Sequence, residues 1–180
     1  MRGYVAPEIA AATLAKALKK RQSGTESRIL DVGAGTGQVA EHLQRMGFNN
    51  IDGLDASKEM LAIAKRKNVY RNCFQDVLGP RQPLNLNSNS YDATICVGVF
   101  TRAHVKAKGA MEEIVRVVKP GGLVCFTIRE NVFLEEEYGY GRKMDELSLN
   151  MVWELVSVTV EAYHSTFDLA KCFLYLYQVL

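Results

Sequence analysis

The sequence predicts an α/β domain in which helices cover both faces of a mostly parallel sheet. Two observations carry this prediction: short apolar runs alternate with helix-like segments, and two long β-like runs close the chain. The strand-like runs lie at 28–32, 51–54, 69–74, 91–97 and 123–128. The helix-like segments lie at 6–21, 36–46, 57–67, 106–118 and 134–151. Strands that alternate with helices are joined by crossover connections, so we expect the first five strands to run parallel.

The two closing runs, 152–163 and 172–179, are separated only by a short connector at 165–171. A connection of that length is too short for a crossover helix, which predicts an antiparallel hairpin. The segment 76–90 is rich in Pro, Asn and Ser and is predicted to be a loop. The residues at 138–141, Tyr-Gly-Tyr-Gly, interrupt the first part of the last helix-like segment.

Several residues fix the ends of the predicted helices. Pro7 suits the first turn of the first helix, and the basic residues 19–21 suit its C-terminal end, where cations interact favourably with the helix dipole. Gly47 ends the second helix, and Ser57 is the candidate N-cap of the third. Pro120 follows the fourth helix and cannot continue it.

The composition is that of one ordinary globular domain. The chain has 180 residues, of which 48% are hydrophobic and 23% charged, with a formal net charge of +2 and a pI near 8.3. This weak positive balance does not favour nucleic acid or an anionic membrane as a partner. There is neither a membrane-spanning apolar run nor a signal-peptide pattern, so we expect a cytoplasmic protein. Cys73, Cys96, Cys125 and Cys172 lie far apart in apolar runs, which predicts buried reduced thiols and no metal site.

The strongest functional signal is a glycine-rich turn between the first strand and its helix. Residues 29–37 read Ile-Leu-Asp-Val-Gly-Ala-Gly-Thr-Gly. Glycine permits a tight turn and a close approach of ligand to backbone, and the following helix presents free N–H groups to an anion. The dinucleotide fingerprint G-x-G-x-x-G would require a third glycine at position 38, which is Gln38, whereas here the third glycine is Gly37. A plain strand-to-helix turn remains the alternative interpretation of the loop alone.

Two acidic residues follow the next two predicted strands. Asp55 stands at the end of the second strand, where a carboxylate can accept hydrogen bonds from both ribose hydroxyls; dinucleotide enzymes also use an acid there. The alternative role of Asp55 is to cap the next helix. Asp76 follows the third strand and either contacts a base or forms a turn. Asp52 is predicted to be a solvated charge at a strand edge.

These features combine into a recognisable pattern. The G-x-G-x-G loop with Asp31 two residues ahead of it, the Tyr-Asp pair at 91–92 and the Lys-Pro-Gly-Gly turn at 119–122 resemble class I S-adenosylmethionine-dependent methyltransferases. Within that family, residues 4–7 and 118–129 are similar to vertebrate methyltransferase-like proteins. The resemblance covers about residues 6–180, nearly the whole chain.

The resemblance implies a Rossmann-like three-layer sandwich with a seven-stranded sheet in the order 3-2-1-4-5-7-6 and an antiparallel C-terminal strand. It implies S-adenosylmethionine as cofactor and S-adenosylhomocysteine as product. Asp31 would face the cofactor's amino group, residues 33–37 would wrap its methionine half, Asp55 would bind the ribose, and Asp76 with the Val77 N–H would contact the adenine. The implied cofactor-binding residues are Asp31, Gly33, Ala34, Gly35, Gly37, Asp55, Ala56, Met60, Asp76, Val77 and Val97.

The acceptor is expected at the carboxyl end of the fourth strand, because ligands bind outside that edge of a parallel sheet. Residues 97–104 there read Val-Gly-Val-Phe-Thr-Arg-Ala-His, which contains neither the Asn/Asp-Pro-Pro-Tyr pattern of amide or base nitrogen methylation nor the Pro-Cys of a covalent cytosine mechanism. His104 is the candidate base or substrate contact, with an exposed loop histidine as its alternative. Arg129 is a candidate contact for an acidic substrate. Aromatic residues that either line an acceptor pocket or pack in the core are Phe100, Phe133, Tyr138 and Tyr140.

Four functions compete at this point. The preferred one is methyl transfer to a small molecule, followed by a protein or RNA methyltransferase, although the weak charge disfavours RNA. A cofactor-binding protein without transferase activity is the third, because few residues precede the first helix: either the helical lid segment common in small-molecule methyltransferases is absent or the chain is a truncated form. A nicotinamide-dependent oxidoreductase is the fourth.

Overall fold

The computed structural model of the chain describes residues 3–102, 104–164 and 170–180. The described residues contain one seven-stranded sheet in the order β3-β2-β1-β4-β5-β7-β6. Its strands are β1 (Ile29–Val32), β2 (Ile51–Asp55), β3 (Asn72–Gln75), β4 (Tyr91–Phe100), β5 (Val118–Arg129), β6 (Trp153–Ala162) and β7 (Lys171–Val179). The helices are α1 (Ala6–Leu18), α2 (Gln38–Arg45), α3 (Lys58–Arg66), α4 (Ala107–Arg116), α5 (Glu130–Phe133) and α6 (Tyr140–Leu149), with a short 3₁₀ turn at Gly24–Glu26.

The strand pairing confirms the predicted fold class and strand order. β3, β2, β1, β4 and β5 are parallel neighbours, and β7 is antiparallel to both β5 and β6. The two closing strands therefore form the predicted hairpin, most of whose predicted connector lies outside the described residues. The carboxyl ends of all five parallel strands meet at one edge of the sheet, where a ligand crevice is expected.

Three departures from the predicted bounds have an identifiable structural cause. β5 begins at Val118 because Val118 already pairs with Tyr91, and the predicted turn at 119–122 lies within the strand as a shift in register. The predicted helix at 134–151 is divided into α5 and α6, and α6 starts after Gly139, which has a positive φ of 66°. β3 begins at Asn72 rather than at Val69, because Val69 is buried against the start of α2.

The sheet separates two apolar clusters of different character. On the side of α1 and α2, which we call the α1 face, small side chains dominate, among them Ala10, Ala11 and Ala40. On the side of α4 and α6, the α4 face, Phe126 packs against aromatic rings from the hairpin. Two of these hairpin rings, those of Trp153 and Tyr177, stack on each other with centroids 4.1 Å apart. The small residues bring α1 and α2 close to the strands that carry the glycine loop.

Two predictions about single residues were wrong. Asp52 is 1% exposed and not a solvated edge charge. Its carboxylate accepts hydrogen bonds from Arg28, Tyr91 and Asn72, which satisfy the charge inside the α4 face. Cys73 is only partly buried because β3 is the edge strand, whereas the other three cysteines are buried thiols as predicted.

Among the described residues, no helix combines the length and the apolar character needed to cross a bilayer.

Candidate functional site

A crevice with two lobes opens at the carboxyl edge of the sheet. Each lobe encloses about 380 Å³. The residues shared by both lobes are Gly33, Gly35, Met60, Val97, Gly98 and His104. The tyrosine lobe is otherwise lined by Tyr4, Pro7, Ala34, Thr36, Gln38, Val39, Tyr163 and His164. The aspartate lobe is otherwise lined by Val32, Leu54, Asp55, Ala56, Ser57, Asp76, Val77, Leu78, Val99 and Val105.

The three glycines of the loop between β1 and α2 have three different environments. A side chain at Gly33 would collide with Val99, since a Cβ there would lie 2.2 Å from the Val99 Cγ2 atom. Gly35 has a positive φ of 51°, and the nearest protein atom to its Cβ position is a loop carbonyl oxygen 4.0 Å away. Gly37 is buried, and a Cβ there would meet the side chain of Val69 at 2.8 Å. Gly35 therefore keeps the crevice open, while the other two permit close packing of the loop.

Asp55 joins the end of β2 to the glycine loop. Its Oδ2 atom accepts a hydrogen bond from the Gly35 N–H at 2.7 Å, and its Oδ1 atom accepts one from the Ser57 N–H at 2.8 Å. The cap of α3 is Ser57 itself, whose hydroxyl accepts from the Met60 N–H, so the alternative that Asp55 is the cap is wrong. Each carboxylate oxygen has a further lone pair available to a ligand in the aspartate lobe.

Asp76 organises the loop that forms the far wall of the aspartate lobe. Its Oδ2 atom accepts a hydrogen bond from the Asn85 N–H at 2.9 Å, and its own N–H donates to the Asp55 carbonyl. The Val77 N–H points to the Asp76 Oδ1 atom at 2.7 Å, and the Val77 side chain is 60% exposed. Asp76 therefore forms the turn proposed as its alternative and also lines the crevice.

The tyrosine lobe is covered by residues that sequence reasoning did not select. Tyr4, ahead of α1, forms an isolated β-bridge with His164, just beyond β6, and its ring lies 4.9 Å from that of Tyr163. The two tyrosine side chains are hydrogen bonded, and burial, followed by the charge of Tyr163, raises the pKa of Tyr4. Their hydroxyls lie over Gly98, where a Cβ would be 2.5 Å from the Tyr4 oxygen. The hairpin prediction was the signal that could have placed Tyr163 and His164 at this edge.

Asp31 lies beneath the loop rather than on the crevice wall. It is 1% exposed, and its Oδ2 atom accepts a hydrogen bond from the Tyr70 hydroxyl at 2.6 Å. Its Oδ1 atom is buried and has no hydrogen-bond partner. Burial raises the pKa of the Asp31 carboxyl to about 7, although the bond from Tyr70 acts in the opposite direction. A buried acceptor without a donor is costly in a protein and is a feature that a bound ligand can relieve.

The structure thus brings most of the predicted cofactor residues to one crevice and leaves two, Asp31 and Gly37, beneath its floor. His104 lines both lobes and is exposed. The guanidinium of Arg129 lies 4.7 Å from the centroid of the Tyr163 ring.

The aromatic residues suggested for an acceptor pocket do not line either lobe. Phe100 and Tyr140 are fully buried and pack edge to face within the α4 face. Tyr138 stacks on Tyr140, and Phe133 packs against Phe173. These rings belong to the core, which was the alternative interpretation.

No metal cluster accompanies the crevice in the part of the chain that the structure describes: no three His, Cys, Asp or Glu side chains are grouped as ligands.

Comparisons with known proteins agree with this geometry. The family model described as "Methyltransferase domain" matches residues 30–126, which span β1 to most of β5. Methyltransferase-like protein 27 of Homo sapiens is 34% identical over 152 residues, covering 84% of this chain and 60% of that protein. Demethylmenaquinone methyltransferase of Chlorobaculum tepidum is 34% identical over 107 residues, covering 59% of this chain and 43% of that protein. The chain thus spans less than two thirds of these relatives' length.

Two solved structures share the fold. A putative S-adenosylmethionine-dependent methyltransferase from Listeria monocytogenes superposes with a TM-score of 0.67 at 16% identity, covering 94% of this chain and 99% of that one. The magnesium protoporphyrin IX methyltransferase of Synechocystis, solved with bound S-adenosylmethionine, has a TM-score of 0.69 at 12% identity and covers 98% of this chain and 81% of that one. Identities this low establish the shared architecture alone.

Proposed function

The chain belongs to the methyltransferase domain family, in its class I S-adenosylmethionine-dependent form, and we propose on that premise that it transfers a methyl group to a small-molecule acceptor. The observation that carries the proposal is the link between Gly35 and Asp55. It places a side-chain-free backbone position and a carboxylate side by side at the junction of the two lobes. A nucleoside with an amino-acid arm needs this combination, because it must lie close to backbone and be held by its sugar.

The aspartate lobe fits the adenosine half of the cofactor. The Asp55 carboxylate would accept hydrogen bonds from the ribose hydroxyls, and Asp76 would accept one from the adenine amine. Ala56 and Met60 lie beside these acids on an apolar wall, which suits the faces of a purine ring. In this proposal the Val77 N–H turns from the Asp76 side chain to a ring nitrogen when the base binds.

The tyrosine lobe fits the methionine half. Ala34 and Thr36 bring the start of α2 to this lobe, where the helix dipole favours a carboxylate. The unpartnered Oδ1 atom of Asp31 would receive the ammonium group, directly or through one water molecule. Val97 and Gly98 lie in both lobes, so the reactive sulfur would lie beside them at the end of β4.

When bound, the cofactor would supply an electrophilic methyl group on a sulfonium sulfur: an acceptor atom would bond to the methyl carbon as the carbon–sulfur bond in line with it breaks, which leaves the thioether S-adenosylhomocysteine. The chain's own residues align the two reactants and exclude water from them. Tyr4 and Tyr163 cover the tyrosine lobe with their rings and hydroxyls. His104 is exposed at the rim of both lobes and is the side chain placed to accept a proton from an acceptor that must lose one.

We propose a small molecule as the acceptor because each lobe encloses only about 380 Å³, and the aromatic side chains of Tyr4, Tyr163 and His164 cover the tyrosine lobe. Demethylmenaquinone methyltransferases, among the relatives, are named for a small-molecule acceptor. The formal net charge of +2 gives only a weak overall attraction to nucleic acid.

The cofactor assignment can be tested with a matched pair of glycine variants. Gly35→Val places a branched side chain in the crevice, whereas Gly24→Val places the same side chain in open space at a similar φ of 50°. Both variants bear the same backbone strain of about 1–2 kcal/mol. We expect Gly35→Val to lose S-adenosylmethionine binding in isothermal titration calorimetry, and Gly24→Val to bind like the wild type.

Circular dichroism and thermal melting should show both variants folded and similarly destabilised. Micromolar cofactor affinity in Gly35→Val would contradict the proposed binding mode. A wild-type chain that binds the cofactor but releases no methyl group to a metabolite panel would favour a cofactor-binding protein without transferase activity.

A further inference from the structure

Asp31 and Tyr70 form a polar pair inside an otherwise apolar face of the sheet. Side chains alternate between faces along a strand, so Asp31 lies on the α1 face with Ile29 and Val97. Tyr70 reaches the same face from the segment between α3 and β3. Its hydroxyl donates to the Asp31 Oδ2 atom at 2.6 Å and lies 3.5 Å from the Ala34 carbonyl oxygen.

The chain makes room for the Tyr70 ring at two glycines. A Cβ at Gly53, in β2, would lie 2.9 Å from the ring, and one at Gly37 would lie 3.5 Å from it. Gly53 is also the register partner of Asp31 in the neighbouring strand. The ring therefore occupies a fitted channel beneath the glycine loop and reaches one carboxylate oxygen only.

Among the described residues, four titratable side chains interact with Asp31. The Tyr70 hydroxyl donates a hydrogen bond to the Asp31 carboxylate, and the charge of Asp55 repels that of Asp31. The side chains of Tyr4 and Cys96 lie close enough to be affected by the Asp31 charge. Burial raises the pKa of the Tyr70 hydroxyl, so this group stays protonated and acts as a donor. Burial also raises the pKa of Asp31 to about 7, against the effect of the Tyr70 bond.

We propose that Tyr70 is a positioning residue for the cofactor: it holds one oxygen of Asp31, so that the other oxygen is presented, ionised, to the ammonium group of the methionine half. This inference rests on the proposed function. Tyr70 itself touches no reacting atom. It acts on affinity through the orientation and the charge of Asp31, which predicts a dependence on pH.

The test uses Tyr70→Phe and a matched control, Tyr91→Phe. Tyr91 also donates its hydroxyl to a buried aspartate, Asp52, at 2.9 Å, but on the opposite face of the sheet. Affinity for S-adenosylmethionine is measured by isothermal titration calorimetry between pH 6 and pH 7.5, below the ordinary pKa of an α-amino group, so that the ligand keeps its ammonium charge. A second probe is 5′-methylthioadenosine, which has the nucleoside and the sulfur but no ammonium group.

Wild-type affinity should fall as the pH decreases through about 7, because protonated Asp31 loses the negative charge that attracts the ammonium group. In Tyr70→Phe the fall should begin at higher pH, with affinity at pH 7.5 reduced roughly three- to tenfold, the range of one lost hydrogen bond. The loss should grow as the pH falls toward 6, where less of the variant's Asp31 is ionised, and be absent for 5′-methylthioadenosine. Tyr91→Phe should bind both probes like the wild type.

The outcomes distinguish a failure of the proposed function from a failure of the role proposed for Tyr70. A wild-type chain that does not bind S-adenosylmethionine overturns both the proposed function and this inference. Tight wild-type binding with an unchanged pH profile in Tyr70→Phe, or an equal loss for 5′-methylthioadenosine, overturns the inference alone. If Tyr70→Phe does not fold, proton release by the wild type on cofactor binding at pH 6.5 decides, and its absence contradicts the proposal.

Discussion

Two buried aspartates in neighbouring strands are stabilised very differently. Asp52 in β2 and Asp31 in β1 are each 1% exposed, and they lie on opposite faces of the sheet. Asp52 receives hydrogen bonds on both oxygens, from the Arg28 guanidinium and the Tyr91 hydroxyl on one and the Asn72 amide on the other. Asp31 receives one bond, and its second oxygen has none.

The difference separates a carboxylate that serves the fold from one that is available to a ligand. A buried charge is tolerated when donors surround it, and it is costly when they do not. The site for Asp52 is complete without any ligand and lies away from the crevice. The site for Asp31 lies beneath the glycine loop and is incomplete. An aspartate therefore stabilises the α4 face, whereas the aspartate on the α1 face has one oxygen without a hydrogen-bond donor. Functional sites often contain such an unsatisfied group.

The largest expected effect comes from a substitution that disrupts the hydrogen bonds around Asp52. Asp52→Asn removes the negative charge that Arg28 faces and replaces one acceptor with a donor directed at the Asn72 amide. The free energy of unfolding should fall by about 2–3 kcal/mol, the range for charged hydrogen bonds, with Arg28 partly screened by solvent. Urea denaturation at pH 8 measures this change. Cofactor affinity of the folded variant should equal that of the wild type, and a matching loss of affinity would show that the two faces are not independent.

The next substitution is expected to raise the free energy of unfolding instead of lowering it. Asp31→Asn should stabilise the ligand-free protein by about 1–2 kcal/mol at pH 8.5, because the removal of a buried charge outweighs the two amide N–H groups that are left without an acceptor. The same substitution should abolish most of the cofactor affinity. A variant that is both less stable and fully able to bind would contradict the assignment of Asp31.

The pH dependence of that stabilisation follows from the raised pKa of Asp31. The ordinary value of 3.8 is raised to about 7 in the folded chain. Between these values the folded carboxyl keeps a proton that the unfolded one has lost, so wild-type stability falls as the pH rises from about 4 to about 7. The gain from Asp31→Asn should therefore be small near pH 4 and constant above pH 7.5. Urea denaturation at three pH values checks the curve.

The sequence predicted those parts of the site that are local. The glycine loop, Asp55 and Asp76 each follow directly from a strand, and a parallel sheet brings the ends of its strands to one edge. These residues could therefore be placed together without knowledge of their contacts. The strand order came from the family resemblance and was confirmed.

The parts that sequence analysis missed depend on partners distant in the chain. Tyr4 meets Tyr163 only because the hairpin returns to the edge of the sheet beside the first helix. Tyr70 is 39 residues from Asp31, in a segment predicted as a weak strand. Asp52 looked solvated because a charge between apolar residues has no local partner, and its partner Arg28 lies in the approach to another strand. Long-range polar pairs leave no periodic signal in a single sequence.

The smallest expected effect is that of Ser57→Ala, which tests whether a polar residue in the crevice stabilises the fold or binds the cofactor. Ser57 lines the aspartate lobe beside Asp55, yet its hydroxyl accepts from the Met60 N–H as the N-cap of α3. Ser57→Ala should lower the free energy of unfolding by about 1 kcal/mol, as expected for a lost cap, and leave cofactor affinity within twofold. Asp55→Ala, its neighbour, should weaken cofactor binding by about 1.5–3 kcal/mol, as expected for a charged hydrogen-bond partner. Urea denaturation and titration calorimetry on both variants separate the two roles, because a serine that bound the ribose would lose affinity along with stability.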